Sequence, residues 1–267
     1  MRFFLCFILL SLAANVSFAT DGKTVYAQYR QIIDDQSKPE ADRRKQGQKY
    51  LRALYSADFL AFIHEVAQQP GYNDQREGYQ VAMCVFAQSY MAGSGKSEPL
   101  DSTLKQLSDI TLPPAWKAGL LDVLKLHNRD NLTEAETAAV ISVLSEMGQN
   151  KQNIDVFRSF CLQELGGFLY SQRELITQKA PELKDALEKQ DQAALPKRDD
   201  ANVKQAAKLI DAIQDYKAAL QKTADEVKDE QIKANLKKRL AKWEPTNKPI
   251  GEVSQPTTNQ TAVGAQQ

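Results

Sequence analysis

The chain is poor in the residues that most often do chemistry. Its 267 residues include two histidines and three cysteines. His64 and His127 have no cysteine, histidine or acid at a spacing that would close a metal site, so no metal is expected. No Gly-x-Ser-x-Gly elbow occurs, and neither Cys84 nor Cys161 has a histidine in its own repeat, which leaves nucleophilic catalysis without a footing. Alternating β-branched runs bounded by turn residues are missing, and with them any signal for a sheet. Charge of one sign is missing as well. Lys+Arg and Asp+Glu both number 34, whereas a bulk electrostatic nucleic-acid binder needs a basic excess on one face. The expectation is a protein that is not an enzyme, carries no cofactor and binds no nucleic acid.

One long apolar run is present, and it sits at the start. MRFFLCFILLSLAANVSFAT has a basic first turn at Arg2, an apolar stretch from Phe3 to Leu12 and a small-residue exit. Ser17 and Ala19 mark a cleavage after Ala19. The stretch is short of the about 20 apolar residues that span a bilayer. Residues 1–19 therefore read as a signal peptide and the chain as exported, periplasmic or extracellular, with membrane association only if the leader is retained. Its removal takes away Cys6. The two remaining cysteines lie on helices two repeats apart, which favours two buried small side chains over a bridge, because a disulfide needs α-carbons within roughly 7 Å.

What remains reads as helix. Spacing predicts helices near 23–34, 38–55 (opened by a capping box at Ser37-Lys38-Pro39-Glu40, with proline in the first turn) and 58–66, with Gln69-Pro70-Gly71 as a stop. Further helices follow near 74–90, 99–108, 115–126 and 134–147, the last opened by the capping box Thr133-Glu134-Ala135-Glu136. A fourth pair runs from about 153 to 189, where Gly166-Gly167 and Pro181 are expected to distort or divide it. Gly93-Ser94-Gly95-Lys96-Ser97 looks like the end of a P-loop, but Tyr90 stands where the motif needs glycine, so it reads as an interhelical loop. The carboxylate pairs Asp34-Asp35 and Asp199-Asp200 read as helix-end caps. Residues 20–190 form one helical-repeat region, 191–200 a polar linker, 201–243 an amphipathic segment without glycine or proline, and 244–267 a polar tail expected to be disordered. The amphipathic segment fits one long helix or a helical hairpin, and Thr223-Ala-Asp-Glu, as an internal cap, tips the reading toward the hairpin.

Residues 75–187 also repeat. Columns at an offset of 41 read Gln75, Trp116, Phe157; then Arg76, Lys117, Arg158; then Tyr79, Leu120, Cys161; then Met83, Leu124, Leu165. At an offset of 40 come Leu100, Val140, Ala180 and Leu107, Met147, Leu187. A period of this length marks stacked helix pairs, each unable to bury its apolar face alone. Arg76, Lys117 and Arg158 read either as a basic ladder for a partner or as bases that snorkel or pair with local acids such as Asp74, Asp122 and Asp155.

Asp155-Val156-Phe157-Arg158 with Cys161, Leu165 and Gly166 resembles the first half of a HEAT-type repeat. Trp116-Lys117, Leu120 and Leu124 echo it behind Pro113-Pro114, and the likeness covers residues 40–190. Glu164 departs from the pattern in a column that holds Ala82 and Val123, as does Ser145 inside a second helix. The resemblance implies an all-α solenoid of stacked antiparallel helix pairs that binds other macromolecules, with no catalytic residues to carry over. The expected function is a scaffold for a protein or peptide, held on the concave face through Arg76, Lys117, Arg158 and neighbouring aromatics where those bases do not snorkel or pair locally. Tyr26, Tyr29, Tyr50, Tyr55 and Tyr79 stand out, though helical spacing places most of them in the core. The alternatives are an envelope structural protein that oligomerises through its C-terminal helices, and a pocket-bearing ligand binder or enzyme.

Overall fold

The computed structural model describes residues 21–53, 57–69, 75–91, 99–127 and 131–245, except for the side chains of 57, 75, 76 and 89–91. The expected leader, Tyr55, the loop at 93–97 and the tail beyond 245 lie outside the described residues. Among the described residues there is no strand.

Helix α1 (Gly22–Asp34) opens on Asp21, whose carboxylate accepts from Thr24 N at 3.0 Å and so satisfies an unpaired first-turn donor. Helices α2 (Glu40–Ala53), α3 (Ala57–Ala67), α4 (Gln75–Met91) and α5 (Leu100–Ser108) follow. Helix α6 (Pro114–Leu124) begins on a proline, which has no N–H to leave unsatisfied. The capping box of α7 (Glu134–Gln149) forms in full: Glu136 N donates to Thr133 Oγ1 at 3.2 Å, and Thr133 N donates to Glu136 Oε2 at 2.7 Å. Next are α8 (Asp155–Lys179), the short α9 (Lys184–Lys189), α10 (Ala201–Glu226) and α11 (Glu230–Lys242).

Two expectations about this region change. Gly166-Gly167 does not divide α8, which runs through both glycines for 25 residues; Pro181 ends it instead. Gly166 is there for closeness, since a Cβ at that position would lie 2.4 Å from the Tyr216 hydroxyl oxygen. The C-terminal segment is a pair of helices, yet the cap is Asp229, which accepts from Gln231 N at 2.8 Å and Ile232 N at 3.0 Å. Thr223 lies buried in the last turn of α10 and donates its hydroxyl proton to Gly148 O at 3.3 Å.

Packing joins both neighbours and next-neighbours. Helix α1 lies on α2, α3 on α4, α5 on α6, α7 on α8 and α10 on α11. Helices also pack one step further on, α1 against α3, α2 against α4, α4 against α6, α5 against α7, α6 against α8 and α8 against α10, and α10 reaches back to α7 as well. The α4–α6 approach is close because Gly119 faces it: a Cβ there would sit 2.6 Å from Ala82 O. The repeating apolar columns supply much of the core. Leu120, Cys161, Leu107 and Leu187 are wholly buried, and Leu100, Val140, Ala180, Met83, Leu124, Met147 and Leu165 are buried. Tyr79 departs from its column, 41% exposed.

The core does not stop at the polar joint. Val203, Ile210, Ile213 and Leu236 belong to the same apolar cluster as Tyr29, Val140 and Leu162. Residues 191–200 therefore connect helices of one core. Arg198 fastens the joint by pairing with both Glu182 and Asp200.

Candidate functional site

Two of the three bases in the column, Lys117 and Arg158, point inward. Lys117 is 1% exposed, its ammonium donates to Asn153 Oδ1 at 2.9 Å, and it stands 5.1 Å from the centre of the Phe157 ring. Burial lowers its pKa from the ordinary lysine value. Asn153 in turn donates to Met147 O at 3.0 Å, so the lysine ties α6 to the turn between α7 and α8. Arg158 is 3% exposed and donates to Gly148 O at 3.2 Å, Asp155 Oδ1 at 3.4 Å and Glu226 Oε2 at 2.7 Å. Lys151 reaches the other oxygen of Glu226 at 3.1 Å. Arg76 lies in the first turn of α4, and its side chain is outside the described residues.

The surface-ladder expectation is thus corrected at Lys117 and Arg158, and the reason is geometric. Leu120 and Leu124 are three and seven residues past Lys117, as Cys161 and Leu165 are past Arg158, so base and apolar residues share a helix face. That face is the buried one. Pairing with a local acid is what Arg158 does, through Asp155.

The surface instead offers an open groove of about 1060 Å³ walled by α1, α2, α4, α6 and the first half of α8. Its floor includes Tyr29, Gln80, Met83, Leu121 and Phe157. Tyr29 donates its hydroxyl proton to Gln80 Oε1 at 2.7 Å, and burial raises its pKa well above the ordinary tyrosine range. Three large apolar side chains of the groove stay accessible to water: Tyr79 and Phe160, each 41% exposed, and Ile154, 38% exposed.

Charges set around these side chains are mostly matched. The Arg44 guanidinium stands 5.3 Å from the Tyr79 ring centre and pairs with Glu40. Lys125 lies 2.8 Å from Asp122 and 3.1 Å from Glu164. Desolvation alone would lower its pKa, but the two carboxylates hold the ammonium above its ordinary value. Arg43 donates to Ile33 O at 2.7 Å.

Elsewhere the reactive groups are shut away. Cys84 and Cys161 are free thiols, both buried, and burial drives each thiol pKa up, which disfavours the nucleophilic thiolate. His64 sits edge-on to Trp116, ring centres 5.3 Å apart. Among the described residues no three acids, histidines or cysteines gather as metal ligands, and no helix is long and apolar enough to cross a membrane.

Sequence reasoning missed Arg44, Ile154 and Phe160 as groove residues, and it noted Tyr79 only among aromatics expected mostly in the core. A partial signal existed in the column of Tyr79, where a bulky polar-tipped aromatic stands against leucine and cysteine. Comparison with known protein families, with characterised proteins and with solved structures finds no match for this chain.

Proposed function

We propose that this chain is an exported, non-enzymatic scaffold of stacked helix pairs, HEAT-like in arrangement, that holds a peptide segment of a partner protein in the groove. Tyr79, Ile154 and Phe160, three large apolar side chains left accessible in one concavity, carry this reading. Aromatic and aliphatic anchors ringed by paired charges are the composition of a recognition surface, where a few apolar residues supply most of the binding free energy. The pairing of α1 with α2, α3 with α4, α5 with α6 and α7 with α8, together with the contacts from α2 to α4, α4 to α6 and α6 to α8, supports the stacked-pair reading. The leader-like residues 1–19 support export.

The C-terminal helices favour this reading over assembly through them. The apolar face of α10 (Val203, Ala206, Ile210, Ile213, Tyr216, Leu220) is spent on this chain's own core.

The test is a doubly substituted protein, Ile154→Asp with Phe160→Asp, compared with the unmodified chain in cross-linking capture from the exporting compartment. Both positions are exposed, so circular dichroism should be unchanged. Loss of the captured partner is the expected result. Undiminished capture excludes the groove.

A further inference from the structure

The groove also carries a sign of what it holds. Resting on the peptide reading above, we propose that the bound segment presents a carboxylate to Arg43, with an apolar side chain lodged against Ile154 and Phe160. Arg43 lines the groove from α2. One arm of its guanidinium is used, Nη1 donating to Ile33 O at 2.7 Å, while its Nε is buried and has no hydrogen-bond partner. Buried donors in folded proteins are almost always met, and an unmet one on a charged group is costly. The acceptor that matches the planar fork of a guanidinium is a carboxylate.

Surrounding charges leave this as the place for an acid. Arg44, next in sequence, adds a second cation at the same end beside Tyr79 and is itself paired with Glu40. Lys125 is already met by Asp122 and Glu164. Arg239 Nε is also buried without a partner, but Arg239 bonds Gln163 and is not part of the groove lining. A volume of about 1060 Å³ spread over five helices exceeds what most small ligands fill, which favours a peptide as the bearer of the carboxylate.

The experiment selects a random-peptide phage library on the chain starting at residue 20, then measures synthetic copies of enriched peptides by fluorescence anisotropy. Enriched peptides are expected to carry Asp or Glu together with an aliphatic or aromatic residue. Changing that acid to its amide should weaken binding by about tenfold or more, the scale of a lost charge-assisted hydrogen bond. Arg43→Gln should bind the acid and amide forms equally, and Phe160→Ala should weaken both. The acid-to-amide comparison uses the native protein, so it stands even where Arg43→Gln does not fold. Peptides that lose affinity with Phe160→Ala yet bind equally as acid and amide overturn the carboxylate and leave the groove reading intact. Peptides indifferent to both Phe160→Ala and Arg43→Gln overturn both.

Discussion

Arg158 and Glu226 meet at 2.7 Å across 68 residues of chain, and this bond closes a polar clasp between the α7–α8 turn and the end of α10. Thr223 adds its bond to Gly148 O, the carbonyl that also receives Arg158 Nε. Lys228 N donates to Asp155 Oδ2 at 3.3 Å from the other side. The Arg158 bond, then Lys151, holds the Glu226 carboxyl below the ordinary glutamate value of 4.5. As pH falls the unfolded chain therefore takes up this proton first, and the folded state is penalised. The stabilisation is whole above the unfolded value and drains away as pH drops through the lower folded one. Melting of the Glu226→Gln protein should show a lower Tm than the native chain at neutral pH, with the two curves converging under acid. A constant gap in Tm between neutral pH and pH 3 would show that the carboxylate's ionisation is irrelevant to the clasp.

Two adjacent glycines in α8 should respond oppositely to alanine. A Cβ at Gly166 meets the Tyr216 hydroxyl oxygen at 2.4 Å and its ring Cζ at 2.9 Å, and Tyr216 is 2% exposed with little room to retreat. Nothing lies within 4 Å of a Cβ at Gly167. Gly166→Ala should therefore destabilise by about 1–3 kcal/mol through overpacking. Gly167→Ala should stabilise by about 0.5–1 kcal/mol through helix propensity alone. Chemical denaturation of both variants gives the two signs directly, and equal effects would refute the α8–α10 contact.

These glycines also mark where the sequence stops being legible. Helix positions, the Thr133 cap and the apolar columns could be read because periodicity and capping are local physics. Gly166 could not, because the reason for it lies 50 residues away in Tyr216. The bases of the column failed for a related reason: charge suggested surface, while the spacing to Leu120 and Cys161 already put them on the buried face. The groove is harder still. Tyr79, Arg44 and Phe160 belong to three helices, and only their packing makes them neighbours. Arg43 carries no local mark at all, since its unmet Nε depends on what surrounds it in three dimensions.

Lys117 should behave as a structural residue. Its ammonium is met by Asn153, which is 7% exposed. Asn153→Ala leaves that ammonium short of an acceptor and should cost about 1–3 kcal/mol. Lys117→Met keeps the length and removes the charge, but it leaves the buried Asn153 Oδ1 without its donor, so it should also cost about 1–3 kcal/mol, with peptide binding unchanged. A Lys117→Met protein that is folded and yet loses peptide binding would return this base to the binding surface.

Both thiols should be silent in the native protein. Cys84 and Cys161 have no exposed surface, and burial raises their pKa values. Titration of the chain starting at residue 20 with a disulfide reagent should show no rapid thiol, and two on addition of denaturant. A rapidly reacting equivalent in native buffer would mean that one of the two helices carrying them opens locally.

The C-terminal hairpin should prove indispensable to folding rather than an appended unit. Val203, Ile210, Ile213, Tyr216 and Leu220 of α10 are all buried, in one cluster with Leu162, Phe168 and Leu169 of α8. Fully burying a large apolar side chain is worth about 1.5–3 kcal/mol, an upper range because the unfolded chain already hides some surface. Five such residues already match the about 5–15 kcal/mol that typically separates folded from unfolded. Ending the chain after Lys189 also strips the clasp from Arg158, leaving its guanidinium beside a newly wetted face. Thermal circular dichroism of that truncated protein should lose its cooperative transition, and light scattering should show aggregates rather than a monomer. A monomer with a sharp melt would instead make the first 190 residues an independent domain, with α10 and α11 docked on it from outside.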